Sequence, residues 1–258
     1  MNFRNQVEAS HQLESLANAN THSIIISGPE GSGKSYLAKQ YANYRNIVDI
    51  QLVSPTVQTL KSTNINTSKS SNDILIIIEN LDSGVMSASY SILKYLEEPD
   101  NNVYCIVTCR NIYRIPDTII SRCSVVNVSN PTIDDINMYC KSVNQKKYNE
   151  LCNRPICSCI RNFSDFDTLQ KLSSDTLNYI ESLNTLDFNQ PVSNIVWNIS
   201  HYNQESLPIN IVMQYIISTT TSNAIRTFAI YCMNDLSINR IGVQAILTKF
   251  VFECKFCV

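Results

Sequence analysis

Eight consecutive residues, Gly28-Pro29-Glu30-Gly31-Ser32-Gly33-Lys34-Ser35, have the types and spacing to hold an anion. The glycines let successive backbone N–H groups turn inward around a phosphate, and a helix beginning at Lys34 would point its positive end at the same charge. At this spacing Lys34 reaches the β- and γ-phosphates of a nucleoside triphosphate, and Ser35 offers its hydroxyl to Mg2+. The alternative is an ordinary glycine-rich turn. The apolar run before it and the helical pattern after it favour the nucleotide.

A second set follows an apolar run in Ile76-Ile77-Ile78-Glu79-Asn80-Leu81-Asp82. Glu79 stands where a phosphate-loop ATPase places an anionic oxygen toward its metal. Asn80 stands where such enzymes carry the glutamate that polarises water. A carboxamide can hold a water by hydrogen bonds but cannot take its proton at neutral pH. Asp82, two residues on, approaches the same site if the turn permits.

These residues need a sheet to position them. Ser23–Ser27, Ile47–Val53, Ile74–Ile78, Val103–Thr108 and Val125–Val128 read as strands, most of them too continuously apolar to have a solvent face. Helical spacing covers Asn2–Ala17 through Phe3, Val7, Leu13 and Leu16, then Lys34–Tyr44 and Ser87–Glu98, with a short helix or turn at Ile115–Arg122. Alternation of strand and helix predicts an α/β domain, a parallel sheet with helices on both faces. Beyond Asn130-Pro131 no run reads as a buried strand. Thr132-Ile133-Asp134-Asp135 resembles a capping box with Asp in place of Glu, and opens a helix to about Ser142. Further helices are expected to about Leu172, then at Leu177–Leu183, Asn194–His201, Pro208–Thr220, Ser222–Met233 and Ile238–Phe256. The chain divides into an α/β domain at 1–130, a small helical domain at 131–175 and a helical part at 176–258.

Composition narrows the function. Of 258 residues, 44% are hydrophobic and the formal net charge is −2, which excludes a disordered chain and a uniformly basic coat for nucleic acid. Any DNA contact must be a local patch, for which Arg110, Arg114, Lys61 and Lys69 are candidates. Lys249, Glu253 and Lys255 interrupt the apolar tail, so no membrane span is expected, and Met1–Ser10 lacks a long apolar run, so no secretory signal is expected either. Ten scattered cysteines then read as reduced core thiols; Cys254-x-x-Cys257 has no second pair to complete a zinc site.

Two further stretches carry a resemblance. Ser91-Ile-Leu-Lys-Tyr-Leu-Glu-Glu-Pro99 is similar to a helix ending L-L-K-x-L-E-E-P, and Ile115-Pro116-x-Thr118-Ile-Ile-Ser121-Arg122-Cys123 to L-P-x-T-I-x-S-R-C. With the phosphate loop and Glu79–Asp82, these elements resemble those of AAA+ clamp-loader ATPases, which open a ring-shaped sliding clamp onto primed DNA. The likeness is to the DNA polymerase III gamma/tau and delta-prime subunits and the small subunits of replication factor C, and it runs from about Ser23 to Val128.

The resemblance implies an AAA+ domain, a helical lid and a C-terminal helical collar that holds an oligomer together. ATP with Mg2+ would be bound by Gly28 to Ser35, with Ser35 and Glu79 toward the metal. Arg122 would be an arginine finger reaching the γ-phosphate in a neighbouring subunit, worth roughly 10³–10⁵ in rate where such fingers act. Thr108, near Cys109 and Arg110, would be a polar sensor, and Arg161 a second sensor on the lid. Implied partners are other loader subunits, identical or different, in a pentameric ring, together with the clamp and primer–template DNA in the cytoplasm of a bacterium or phage-infected host.

Asn80 leaves two versions open: weak or partner-dependent hydrolysis, or a subunit that binds ATP without turnover as a stator or scaffold. A small-molecule kinase would leave the E-E-P and S-R-C elements unexplained. The four-cysteine zinc module of bacterial loaders is absent, since residues 36–104 contain no Cys, and no Y-R-P element is present. With heavy Asn usage, these departures hint at a phage or mobile-element source.

Overall fold

Ile74–Ile78 is five consecutive branched aliphatic residues, and every one of them is buried. In the computed structural model, which describes residues 3–54, 72–84, 92–93, 96, 102–182, 209–220, 223–238 and 250, that run is the third strand of a parallel sheet. The strands are β1 (Ser23–Ser27), β2 (Asp49–Val53), β3 (Ile74–Ile78), β4 (Val103–Cys109) and β5 (Ser124–Asn127), in the order β2-β3-β4-β1-β5. The chain forms two compact units, Met1–Ile136 and Asn137–Val258, and the whole sheet lies in the first.

Two-residue alternation explains why the central strands have no polar side. Ile25, Ile74, Ile76, Ile78, Val103, Cys105 and Val107 pack on one face with Leu81, Ile92, Leu96, Ile115 and Ile119. Ile24, Ile26, Leu75, Ile77, Tyr104, Ile106 and Val126 pack on the other, against helices α1 (Arg4–Asn18) and α2 (Lys34–Arg45). A strand covered on both faces must be apolar throughout. Edge strand β2 is covered less, and Leu52 is accordingly exposed. It starts at Asp49 rather than Ile47 because the Ile47 N–H is bonded to Ala42 O at 2.9 Å, closing α2 behind Asn46.

Only five glycines serve the whole chain, and asparagine takes their conformational work. Among the described residues the non-glycine positions with positive φ are Asn20, Asn46 and Asn80. Asn20 and Asn46 follow α1 and α2 in paired C-terminal turns: Thr21 N–H donates to Leu16 O and Ile47 N–H to Ala42 O. Asparagine tolerates this left-handed region better than other side chains.

The face of α1 differs from the one its apolar residues suggested. Asn5, Ala9, Leu13 and Ala17, spaced by four, are buried together with Gln6, whereas Val7 is exposed. Helical periodicity identified the helix, but neighbours in space selected the stripe.

After the α-helical turn α3 (Asp117–Ile120) and β5, the capping box forms as read. Thr132 N–H and Oγ1 donate to Asp135 Oδ2 at 3.0 and 2.7 Å, and Asp135 N–H donates back to Thr132 Oγ1 at 3.2 Å. The other carboxylate oxygen, Oδ1, receives Arg4 N–H at 2.6 Å, so one buried side chain caps two helix starts. Burial alone would raise the Asp135 pKa; the bonds from Thr132, Arg4 and Asn5 outweigh it and hold the carboxyl below its usual value. Asp135→Ala should therefore cost about 2 kcal/mol, seen as a lower urea midpoint at unchanged slope. With the folded-state pKa depressed, that contribution is present above about pH 4 and lost as pH falls through the folded value. A difference that grew on acidification would contradict this assignment.

Helix α4 (Ile133–Cys152) continues past the expected stop at Ser142, but bends at Asn144. There the backbone turns extended, and the Asn144 side chain accepts Lys147 N–H at 3.0 Å to restart the helix. The second unit holds no strand among its described residues: α5 (Phe163–Leu169), α6 (Ser174–Ser182), α7 (Ile209–Thr219) and α8 (Asn223–Ile238) follow. The helices expected at Ser87–Glu98, Asn194–His201 and Ile238–Phe256 lie outside the described residues, apart from Ile92, Leu93, Leu96, Ile238 and Phe250. The eight described cysteines are free thiols, and Cys254 and Cys257 are not among them. No helix among the described residues is long and apolar enough to cross a membrane.

Candidate nucleotide-binding site

Because all five strands run parallel, their C-terminal ends share one edge of the sheet, the usual place for a ligand in such folds. β1 leaves that edge into Gly28, and α2 begins at Lys34. Gly31 and Gly33 have φ of 69° and 92°, which side chains with a Cβ rarely adopt. Gly28 is needed for a different reason: a Cβ there would lie 2.4 Å from Val128 O. Gly28 N–H is anchored to Cys109 O at 3.1 Å, so the loop leaves β1 wedged between the ends of β4 and β5.

Lys34 is only 7% exposed. Its ammonium donates to Gly28 O at 2.7 Å and Pro29 O at 2.6 Å. Burial first, then the charge of Arg110, lower its pKa. A cation disfavoured in this way gains from an added anion. Ser35 is half-buried one residue further along α2. Ser32 Oγ donates to Pro29 O at 2.9 Å, bracing the loop internally.

Two residues that position the loop were not recognised from the sequence. From the start of α1, Asn5 Nδ2 and Gln6 Nε2 donate to Ser32 O at 3.2 and 3.0 Å, and Asn5 Nδ2 also donates to Ser129 O at 3.1 Å. The available signal was a polar residue, Asn5, in line with Ala9, Leu13 and Ala17 on the buried stripe.

Glu79 and Asn80 directly follow β3, which is separated from β1 by β4 alone, or about 10 Å at normal strand spacing. Both residues line a shallow cavity with Leu52, Val53, Ser54 and Ser83. Asn80 adopts φ 51°, ψ 51°, and its N–H donates to the buried Thr108 Oγ1 at 3.0 Å. Asparagine here is thus a conformational choice as well as a chemical one. Thr108 fastens the end of β3 to β4. Asp82 is engaged by backbone: its Oδ1 accepts Arg110 N–H at 3.1 Å and its Oδ2 accepts Asn111 N–H at 3.2 Å.

Arg110, a candidate for DNA contact by sequence, faces the Gly28–Ser35 loop. Its Nη1 lies 3.1 Å from Glu30 Oε2, and Nη2 donates to Glu30 Oε1 at 3.2 Å. With side chains 47% and 63% exposed, this pair contributes under about 1 kcal/mol to folding.

Arg122 is elsewhere. It precedes β5, at the N-terminal end of the sheet, beside Thr21, His22, Ser23, Cys123 and Ser124. Its Nη1 donates to Thr118 O at 2.6 Å. β1 is five residues long, about 17 Å, so Arg122 and Lys34 are held at opposite ends of the same sheet. Arg161 lies in the second unit, exposed, with its N–H donating to Asp165 Oδ2 at 2.9 Å.

A family model described as DNA polymerase III, delta subunit matches residues 49–132, about a third of the chain. Among solved structures, the crystal structure of a DNA polymerase III gamma subunit-related protein from Thermotoga maritima is similar at a TM-score of 0.57 and 15% identity. That match covers 95% of this chain and 99% of the other. The fold is that of a clamp-loader-like AAA+ subunit. The segment matched by the family model begins after the Gly28–Ser35 loop and includes Glu79, Asn80, Thr108, Arg110 and Arg122. No curated protein sequence matches the chain.

Proposed function

We propose that this chain is an ATP-binding subunit of a sliding-clamp loader acting in DNA replication. One observation carries the reading: the sheet holds the Gly28–Ser35 loop with Lys34 at one end and Arg122 at the other. A cation so far from its own loop cannot serve that loop, but in a ring of like-oriented subunits it faces the loop of the next. The residues suit the ligands. Gly28, Pro29, Glu30, Gly31, Ser32, Gly33 and Lys34 form an amide-lined, cationic cradle for phosphates, and Ser35 and Glu79 offer the hard oxygens Mg2+ prefers. Bound Mg2+ would neutralise phosphate charge. Arg161, on a lid at 131–175, is assigned to sense the nucleotide, and residues 176–258 to a collar joining subunits. Clamp, primer–template DNA and further loader subunits in a five-membered ring are the partners of this reading.

Asn80 supports slow turnover, or a non-hydrolysing stator as the second reading. The carboxamide cannot accept a proton, and Asp82 is occupied by two backbone N–H groups. Asn80→Asp is nearly isosteric, keeps a residue tolerant of φ 51°, and adds a base. Single-turnover hydrolysis should rise several-fold, on the low side of the range for a positioned base. An unchanged rate would favour the stator. The assembly itself is tested by co-purification with a ring-shaped clamp and a second ATPase subunit in a non-hydrolysable ATP analogue. Capture that is indifferent to nucleotide would count against ATP-switched loading.

A further inference from the structure

We propose that Arg110 contacts the polyphosphate bound by its own chain, and that Glu30 occupies Arg110 until the polyphosphate displaces it. The inference rests on the nucleotide reading above and adds to it a residue and an exchange of partners.

Arg110 is delivered from a fixed point. It directly follows β4, whose last residue, Cys109, receives Gly28 N–H, and its own N–H is held by Asp82. The guanidinium meets Glu30 with two nitrogens on two oxygens, at 3.1 and 3.2 Å. Glu30 is inside the cradle sequence, two residues after Gly28, so a carboxylate sits in a loop whose amides suit an anion. Lys34 senses the whole group: Arg110 lowers its pKa, while Asp82 and Glu30 act to raise it. Two cations and two carboxylates therefore surround the mouth of the loop.

The carboxylate presents to Arg110 the same pair of oxygens that a phosphate would present, with less charge. Since both side chains are about half exposed, separating them costs little, because water replaces what each loses. A triphosphate arriving at the loop wins the guanidinium and frees Glu30, whose charge meanwhile opposes the anion's approach. Glu30 thus sets the affinity from inside the cradle, and Arg110 couples the end of β4 to occupancy.

Equilibrium binding of ATP to the full chain, by calorimetry, tests this with Glu30→Gln, Arg110→Ala and the double variant. Glu30→Gln should tighten ATP binding roughly three- to tenfold, and Arg110→Ala should weaken it roughly tenfold. In the Arg110→Ala background the gain from Glu30→Gln should shrink, because part of it comes from releasing Arg110. Both residues are surface-accessible and the Asp82 bond uses the backbone, so thermal midpoints without nucleotide should stay close to wild type. If the ion pair merely braces the loop, both single variants will weaken binding or leave it unchanged, and the exchange is refuted. If the wild-type chain, folded, binds no ATP, the nucleotide reading fails and the exchange falls with it. Wild-type binding that Lys34→Met abolishes, together with an unaltered affinity in Arg110→Ala, would refute the exchange alone.

Discussion

Lys34→Met should lose ATP affinity by roughly 30- to 150-fold, the equivalent of about 2–3 kcal/mol for charge-assisted hydrogen bonds to phosphate. The fold should survive. The folded-state pKa of Lys34 is lowered, chiefly by burial, so its charged form is disfavoured by folding at neutral pH. That penalty holds below the folded pKa and fades as pH rises toward the unfolded value of about 10.4. A methionine keeps most of the buried stem without the charge, and gives up only the bonds to Gly28 O and Pro29 O. The thermal midpoint without nucleotide should therefore move by only a few degrees, an amount that corresponds to about 1 kcal/mol. Calorimetry with ATP and a thermal melt separate the two effects. Undiminished affinity in the variant would end the case for a nucleotide at this loop.

Gly28→Ala should have the largest effect on stability of any single methyl addition to the loop. The new Cβ would stand 2.4 Å from Val128 O, 3.1 Å from Val128 Cβ and 3.3 Å from Ser32 Oγ. The first neighbour is backbone, and it cannot swing aside like a side chain. Val128 N–H is bonded to Ser27 O at 2.8 Å and Gly28 N–H to Cys109 O at 3.1 Å, so relief must come from parting β1 from β4 or β5. Overpacking of this kind costs about 3 kcal/mol, which lowers the thermal midpoint by roughly 6–12 °C in a chain this size. Gly31→Ala is the comparison: its φ of 69° imposes only the left-handed penalty of about 1–2 kcal/mol. A melt in which Gly31→Ala proved the more damaging would show that the loop is not wedged between the ends of β4 and β5 as described.

Asparagine shows how one residue type can be legible for one purpose and opaque for another. Its abundance suggested a source; its structural use is to supply the left-handed turns at Asn20, Asn46 and Asn80 in a chain with five glycines. At Asn80 the residue change noticed in the sequence, a carboxamide where a carboxylate was expected, coincides with a backbone that asparagine accommodates well.

The sequence alone determined the five strands, because short runs such as Ile74–Ile78 and Val103–Cys109 carry no polar side and so must be covered on both faces. It also determined the Thr132–Asp135 cap, since its parts are close in the chain and its geometry follows from residue spacing. What it left undecided depends on partners far apart in sequence. Glu30 and Arg110 are 80 positions apart, Gln6 and Ser32 are 26, and Asp82 and Arg110 are 28. Such side chains look like ordinary polar surface until the sheet order β2-β3-β4-β1-β5 places the end of β4 beside the loop after β1. Local chemistry can single out the Gly28–Ser35 loop; only the packing of strands from distant segments can show which charges stand around it.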